Sequence, residues 1–195
     1  SWGQRTTLAT PPARAFHVLV HDPVRGRTVL FGGQSTTGAL ADTWEWDGFG
    51  WIEVTPVHSP PPRWGAMACY DESRGTIVLF GGQQSGYIEL SDTWEWDGND
   101  WTAIPSTGPS ARAFGGLAYD HVQRAPVLFG GGTVTSPTRD MWRLVNGTWQ
   151  LIPLATLPPP NSGFVFCSDP IRGSILFYGG YTLQGGVLDE CWVWD

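Results

Sequence analysis

The chain has no lysine: its eleven basic side chains are all arginines, set against eighteen Asp and Glu, for a formal net charge of −7. A face basic enough to track a phosphate backbone is missing, which excludes nucleic acid as the principal partner. No apolar run reaches the ~18 residues of a membrane-spanning helix, so no membrane span is expected. No segment repeats apolar residues at helical spacing over three turns either, which removes helix bundles. No leader peptide is visible, and because the sequence opens on Ser1 rather than methionine, an upstream segment stays open. Charged residues are only 15%, whereas glycine (26), proline (16) and tryptophan (12) are abundant. That balance suits many tight turns between short strands.

The abundant residues are periodic. Paired glycines end the runs TVLFGG, IVLFGG, PVLFGG and ILFYGG at Gly33, Gly82, Gly131 and Gly180, 49 residues apart each time. Upstream, Arg14, Arg63, Arg112 and Asn161 follow Pro-rich linkers at the same interval. Downstream come Trp44, Trp94, Trp142 and Trp192, each of the first three followed seven residues later by Trp51, Trp101 or Trp149. A period in this range marks a repeat architecture. Each copy reads as a short apolar strand, a turn at DPVRG or DESRG, a β-branched strand ending in Gly-Gly, a polar loop, the strand DTWEW and a last strand such as WTAIP. Four antiparallel strands per repeat at this period are the signature of a propeller blade.

The doubled glycine followed by DTWEWDG and a further tryptophan resembles the Kelch repeat, and the resemblance spans the whole chain. It implies a propeller with the first strand of each repeat innermost, but no single activity; the count of repeats makes the expected fold all-β with four four-stranded blades, fewer than Kelch relatives usually have. The wording is similar to Kelch-type repeats common in bacterial proteins, which implies a secreted or cell-surface setting. The expected organisation is one domain over 1–195, with repeats at about 9–57, 58–107, 108–155 and 156–195. Trp2 lies 49 residues before Trp51, and the sequence stops after a third strand at Trp194. The segment Ser1–Leu8 is therefore expected to complete the last blade and close the ring, removing an exposed edge. A monomer is favoured; a segment of a larger ring, and a dimer formed by strand exchange, are the competitors. Pro126 enters the second strand of the third repeat, where a strand start or bulge is expected.

Eleven of the tryptophans fall at repeat positions and read as inter-blade packing; Trp64, beside Arg63, is the exception. Arg14, Arg63 and Arg112 stand before the innermost strand, so symmetry sets them round one mouth of the channel. There they either form an anion or carboxylate site or tether their own blades. The loops 34–41, 83–91, 133–139 and 181–188 are the least regular part. In them Gln34, Gln83, Gln84, Tyr87 and Tyr181 are candidates to bond or stack on a glycan or peptide. Glu45 and Glu95 are expected to pair with arginines such as Arg27 or Arg143.

The three cysteines, Cys69, Cys167 and Cys191, read as buried free thiols, and no cofactor is expected. His17, His21, His58 and His121 fall at unrelated repeat positions without a second metal ligand. By analogy with four-bladed propellers of the hemopexin type, an axial ion with a structural role is admitted. The favoured function is a non-catalytic module binding a protein or glycan at the loop face and channel mouth. The alternatives are a sugar-isomerising enzyme, since sialic-acid mutarotases resemble Kelch propellers, and a purely structural propeller.

Overall fold

The computed structural model describes residues 1–105, 107–133, 136–182 and 185–195. Parts of the expected loops 133–139 and 181–188 thus lie outside the described residues. Blade 1 holds β1 (Val18–Asp22), β2 (Arg27–Phe31), a small hairpin of β3 (Gln34–Ser35) and β4 (Gly38–Ala39), then β5 (Thr43–Trp46) and β6 (Trp51–Val54). Blade 2 repeats this with β7 (Met67–Asp71), β8 (Thr76–Phe80), β9 (Gln83–Gln84), β10 (Ile88–Glu89), β11 (Thr93–Trp96) and β12 (Trp101–Ile104). Blade 3 has β13 (Gly116–Asp120), β14 (Ala125–Phe129), β15 (Met141–Val145) and β16 (Thr148–Ile152). Blade 4 has β17 (Val165–Asp169), β18 (Ser174–Tyr178) and β19 (Cys191–Trp194). All pairings within these blades are antiparallel, β2 pairing with β5 and β8 with β11 past the small hairpins, and the chain is an all-β, four-bladed propeller.

The first hairpin of every blade turns on an aspartate. Asp22, Asp120 and Asp169 each accept bonds through Oδ1 from the amides two and three residues on; Asp71 accepts from the amide and hydroxyl of Ser73. This is the side-chain mimic of a backbone turn. Pro126 sits second in β14, and β15 pairs with β14 only from Val127 onward, so the ring nitrogen lies before the ladder it cannot serve.

Blades pack face to face along apolar seams. The first joins Val29 and Phe31 to Ile77, Leu79, Trp96 and Trp101. The second joins Met67, Cys69, Val78 and Phe80 to Leu117, Leu128, Leu144 and Trp149. The third joins Ala118, Val127, Phe129 and Met141 to Ile175 and Phe177. Trp101 is 1% exposed; burying ~200 Å² of its ring at ~25 cal/mol per Å² contributes up to about 5 kcal/mol. The innermost strands β1, β7, β13 and β17 line an axial cavity of about 540 Å³.

Three expectations are corrected. Ser1–Leu8 forms no strand: among the described residues blade 4 is three-stranded, and Arg5, Thr7 and Thr10 lie instead beside Trp46 and Trp51 of blade 1. Trp2 is consequently fully exposed rather than packed between blades. Of the three free thiols only Cys69 is buried; Cys167 and Cys191 are exposed, because the face of blade 4 that carries them is uncovered. Finally, Glu45 and Glu95 pair with Arg25 (2.6 Å) and Arg74 (2.5 Å). Arg27 lies 3.5 Å from Asp47, and Arg143 bonds Gln123 at 2.9 Å. The arginine that reaches the third-strand acid comes from the hairpin turn, where Arg25 and Arg74 occupy one repeat position.

Candidate binding site at the channel mouth

Each arginine before an inner strand is held by its own blade. Arg63 is 1% exposed. Its Nη1 and Nη2 each donate at 2.7 Å to the Asp92 carboxylate, Nη1 also donates to Gly81 O at 2.8 Å, and Nε donates to Pro61 O at 3.0 Å. Arg14 makes the same set with Asp42 and Gly32 O, and Arg112 with Asp140 and Gly130 O. The same aspartates accept the indole N–H of Trp44, Trp94 and Trp142. Burial pushes the carboxyls of Asp42, Asp92 and Asp140 up, but the arginine hydrogen bonds and charge outweigh it and hold all three below the usual range. At least four of the five N–H groups of each guanidinium are taken up within its own blade, the geometry of a tether at Arg14, Arg63 and Arg112. In blade 4, among the described residues, the Asn161 side chain keeps the bond to Gly179 O alone, while Glu190 accepts from Trp192.

The residue after each arginine is bridged to the residue that follows the paired glycines: Ala15 to Gln34, Trp64 to Gln83, Ala113 to Gly132 and, after Asn161, Ser162 to Tyr181. Trp64 is buried in this position, and Gln83, also buried, donates through Nε2 to Glu89 Oε1 at 3.1 Å. Gln34 is half-buried. Tyr87 is exposed at the tip of the β9–β10 hairpin in a left-handed backbone, φ 61°. The structure thus gathers Gln34, Gln83, Trp64 and Tyr181 at the mouth, and sets Tyr87 on the loop above it.

One position further on stand Phe16, Gly65, Phe114 and Gly163, all left-handed with φ of 56°, 62°, 57° and 68°. Their backbones are linked round the axis: Gly65 N donates to Phe16 O, Phe114 N to Gly65 O and Gly163 N to Phe114 O, at 2.9, 2.9 and 3.0 Å. The alternation of Phe and Gly has a steric cause. A Cβ on Gly65 would lie 2.7 Å from the Phe114 ring, and one on Gly163 would lie 3.3 Å from that of Tyr181. The glycines make room for neighbouring rings to lie over them, and Phe16 meets Phe114 edge-on with centroids 5.6 Å apart. Phe16 is nevertheless 56% exposed.

Across blades 2 to 4 this rim opens into a pocket of about 220 Å³, bounded by Gln83, Phe114, Pro137, Ser162, Tyr181 and Thr182. Among the described residues, no acid or arginine borders it. On blade 1, burial and then the charge of Arg14 lower the pKa of His17. Rings that stack, with hydroxyls and an amide at the edges, suit a neutral ligand rich in hydroxyl or amide groups.

Phe16 and Phe114 do not stand out in the sequence, because their repeat position alternates with glycine and so looks irregular. The readable signal is that alternation itself. The chain matches no protein-family model and no curated protein.

Proposed function

We propose that the chain is a non-catalytic binding module of Kelch type that recognises a glycan or protein through its channel mouth. The supporting observation is Phe16. A non-glycine residue in left-handed backbone costs about 1–3 kcal/mol, and such strain concentrates at ligand-binding positions. Phe16 bears that cost and leaves more than half its surface in water. Its edge contact with Phe114 returns only about 0.5–1.5 kcal/mol.

The test is a screen against oligosaccharides and immobilised proteins using wild type, Phe16→Gly and Tyr181→Ala. Phe16→Gly relieves strain and loses one ring contact, so its Tm is expected within about 3 °C of wild type. Loss of binding at that unchanged stability is the expected result. Retention of every hit in both variants would remove the mouth as the site.

A further inference from the structure

Gln83 and Gln84 are successive residues of β9, and a strand sends successive side chains to opposite faces. Gln83 accordingly borders the mouth pocket, whereas Gln84 borders a separate cleft of about 320 Å³ on the other side of the strand. That cleft runs between the β3–β4 hairpin of blade 1 and the β9–β10 hairpin of blade 2. Its walls are Thr37, Gly38, Ala39, Pro62, Gln84 and Ser85. A side chain at Gly38 would narrow it, since the Cβ alone would stand 3.6 Å from Ser85 Oγ.

The cleft matches the mouth pocket in chemistry. Among the described residues, neither is bordered by an acid or an arginine, on a chain whose net charge is −7. The Gln84 amide and the Ser85 hydroxyl make no hydrogen bond among the described residues, so both are free to meet a ligand. Beside them, at the hairpin tip, Tyr87 is 68% exposed and left-handed at φ 61°. It repeats the two features of Phe16, a ring held out to water on a backbone that costs about 1–3 kcal/mol. The Tyr87 amide donates to Gln84 O at 3.2 Å, which ties that ring to the cleft wall.

Building on the reading of the mouth as a binding site, we propose that the ligand is a neutral oligosaccharide lying across β9. One unit sits at the mouth against Phe16 and Tyr181, and a further unit sits in the hairpin cleft against Tyr87. Free amide and hydroxyl groups beside exposed rings suit sugar units, which offer an apolar face to a ring and hydroxyls at their edges. A protein ligand would call instead for anchors in desolvated pockets, whereas Phe16, Tyr87 and Tyr181 each leave more than half their surface in water. Once one unit is seated, a covalently joined unit reaches the cleft as an intramolecular event, so the second contact adds affinity that separate sugars do not gain.

Calorimetric titration tests this with neutral glucose, galactose, mannose, xylose and N-acetylglucosamine series, from single sugars up to hexasaccharides. Wild type is expected to bind at least one series, with affinity rising about tenfold or more with length. Tyr87→Asn removes the ring while suiting left-handed backbone, so the fold is kept. It is expected to abolish the gain with length and to leave the shortest bound member at its wild-type affinity, whereas Phe16→Gly weakens short and long members alike. A gain with length that survives in Tyr87→Asn and in Ser85→Ala overturns the cleft as a subsite and leaves the mouth reading standing. An immobilised protein bound in place of every sugar series, and lost in Phe16→Gly, overturns the oligosaccharide and again spares the mouth. Sugar binding that Phe16→Gly and Tyr181→Ala leave intact overturns both readings, as does the absence of any binding.

Discussion

Replacing Arg63 by methionine should destabilise the protein by about 3 kcal/mol, the low end of the ~3–5 kcal/mol range for removing one partner of a buried ion pair. Arg63 is completely buried, and its guanidinium donates to Asp92, Gly81 O and Pro61 O. Methionine fills much of the stem volume but takes the guanidinium from Gly81 O and Pro61 O and leaves the Asp92 carboxylate with the Trp94 indole as its side-chain donor. The Asp92 side chain is 35% exposed, so water recovers part of the loss, which is why the low end applies. For a chain of this length each kcal/mol shifts Tm by about 2–4 °C, so calorimetry at neutral pH should show a drop of about 6–12 °C. The double variant Arg63→Met/Asp92→Asn should lose less than the single one, because the orphaned charge is gone while the amide oxygen still accepts from Trp94. The pH dependence follows from the sign. The folded-state pKa of Asp92 is depressed, so its stabilisation is fully present above its unfolded value near ~3.9 and is lost as pH falls through the lower folded value. The gap between wild type and Arg63→Met should therefore be full at neutral pH and close below about pH 4. A Tm change under about 2 °C at neutral pH, or strict additivity in the double variant, would refute the latch as the source of stability.

Two further outcomes follow from the same geometry. Gly65→Ala adds strain at φ 62° and brings a methyl to 2.7 Å from the Phe114 ring; a loss of about 1–3 kcal/mol in urea unfolding is expected, together with loss of mouth binding. Burial, and then the charge of Asp71, push the Cys69 thiol far above the usual range. At mildly alkaline pH, thiol titration of the native chain should count the exposed Cys167 and Cys191 alone, with Cys69 appearing only in denaturant.

Residues whose role is set by the repeat are legible from their spacing alone. The paired glycines, the turn aspartates and Trp44, Trp94 and Trp142 take one environment per blade, because each blade presents the same local backbone and the same neighbour. Arg63 is legible only by half. Its spacing places it at the entrance to the inner strand, but whether a guanidinium there faces solvent or folds back depends on an aspartate twenty-nine positions away. The partners of Glu45 and Glu95 differ from those expected for a similar reason: the β-hairpin brings Arg25 and Arg74 back across the sheet, a contact that linear spacing between charges does not show.

By itself the sequence determined that the chain is all-β, that its unit is a four-strand meander, and that there are four of them, since period and turn chemistry are local. Only the tertiary structure decided how the array ends. The count of strands made Ser1–Leu8 the natural partner of β19, yet pairing requires the two ends of the array to meet, and that depends on the angle between blades summed over three seams. How one blade seats on the next is set by side-chain packing along the seam, not by spacing along the chain. In the structure one face of blade 4 is bare, Arg5, Thr7 and Thr10 lie beside Trp46 and Trp51 of blade 1, and Phe16 stands exposed at the channel mouth.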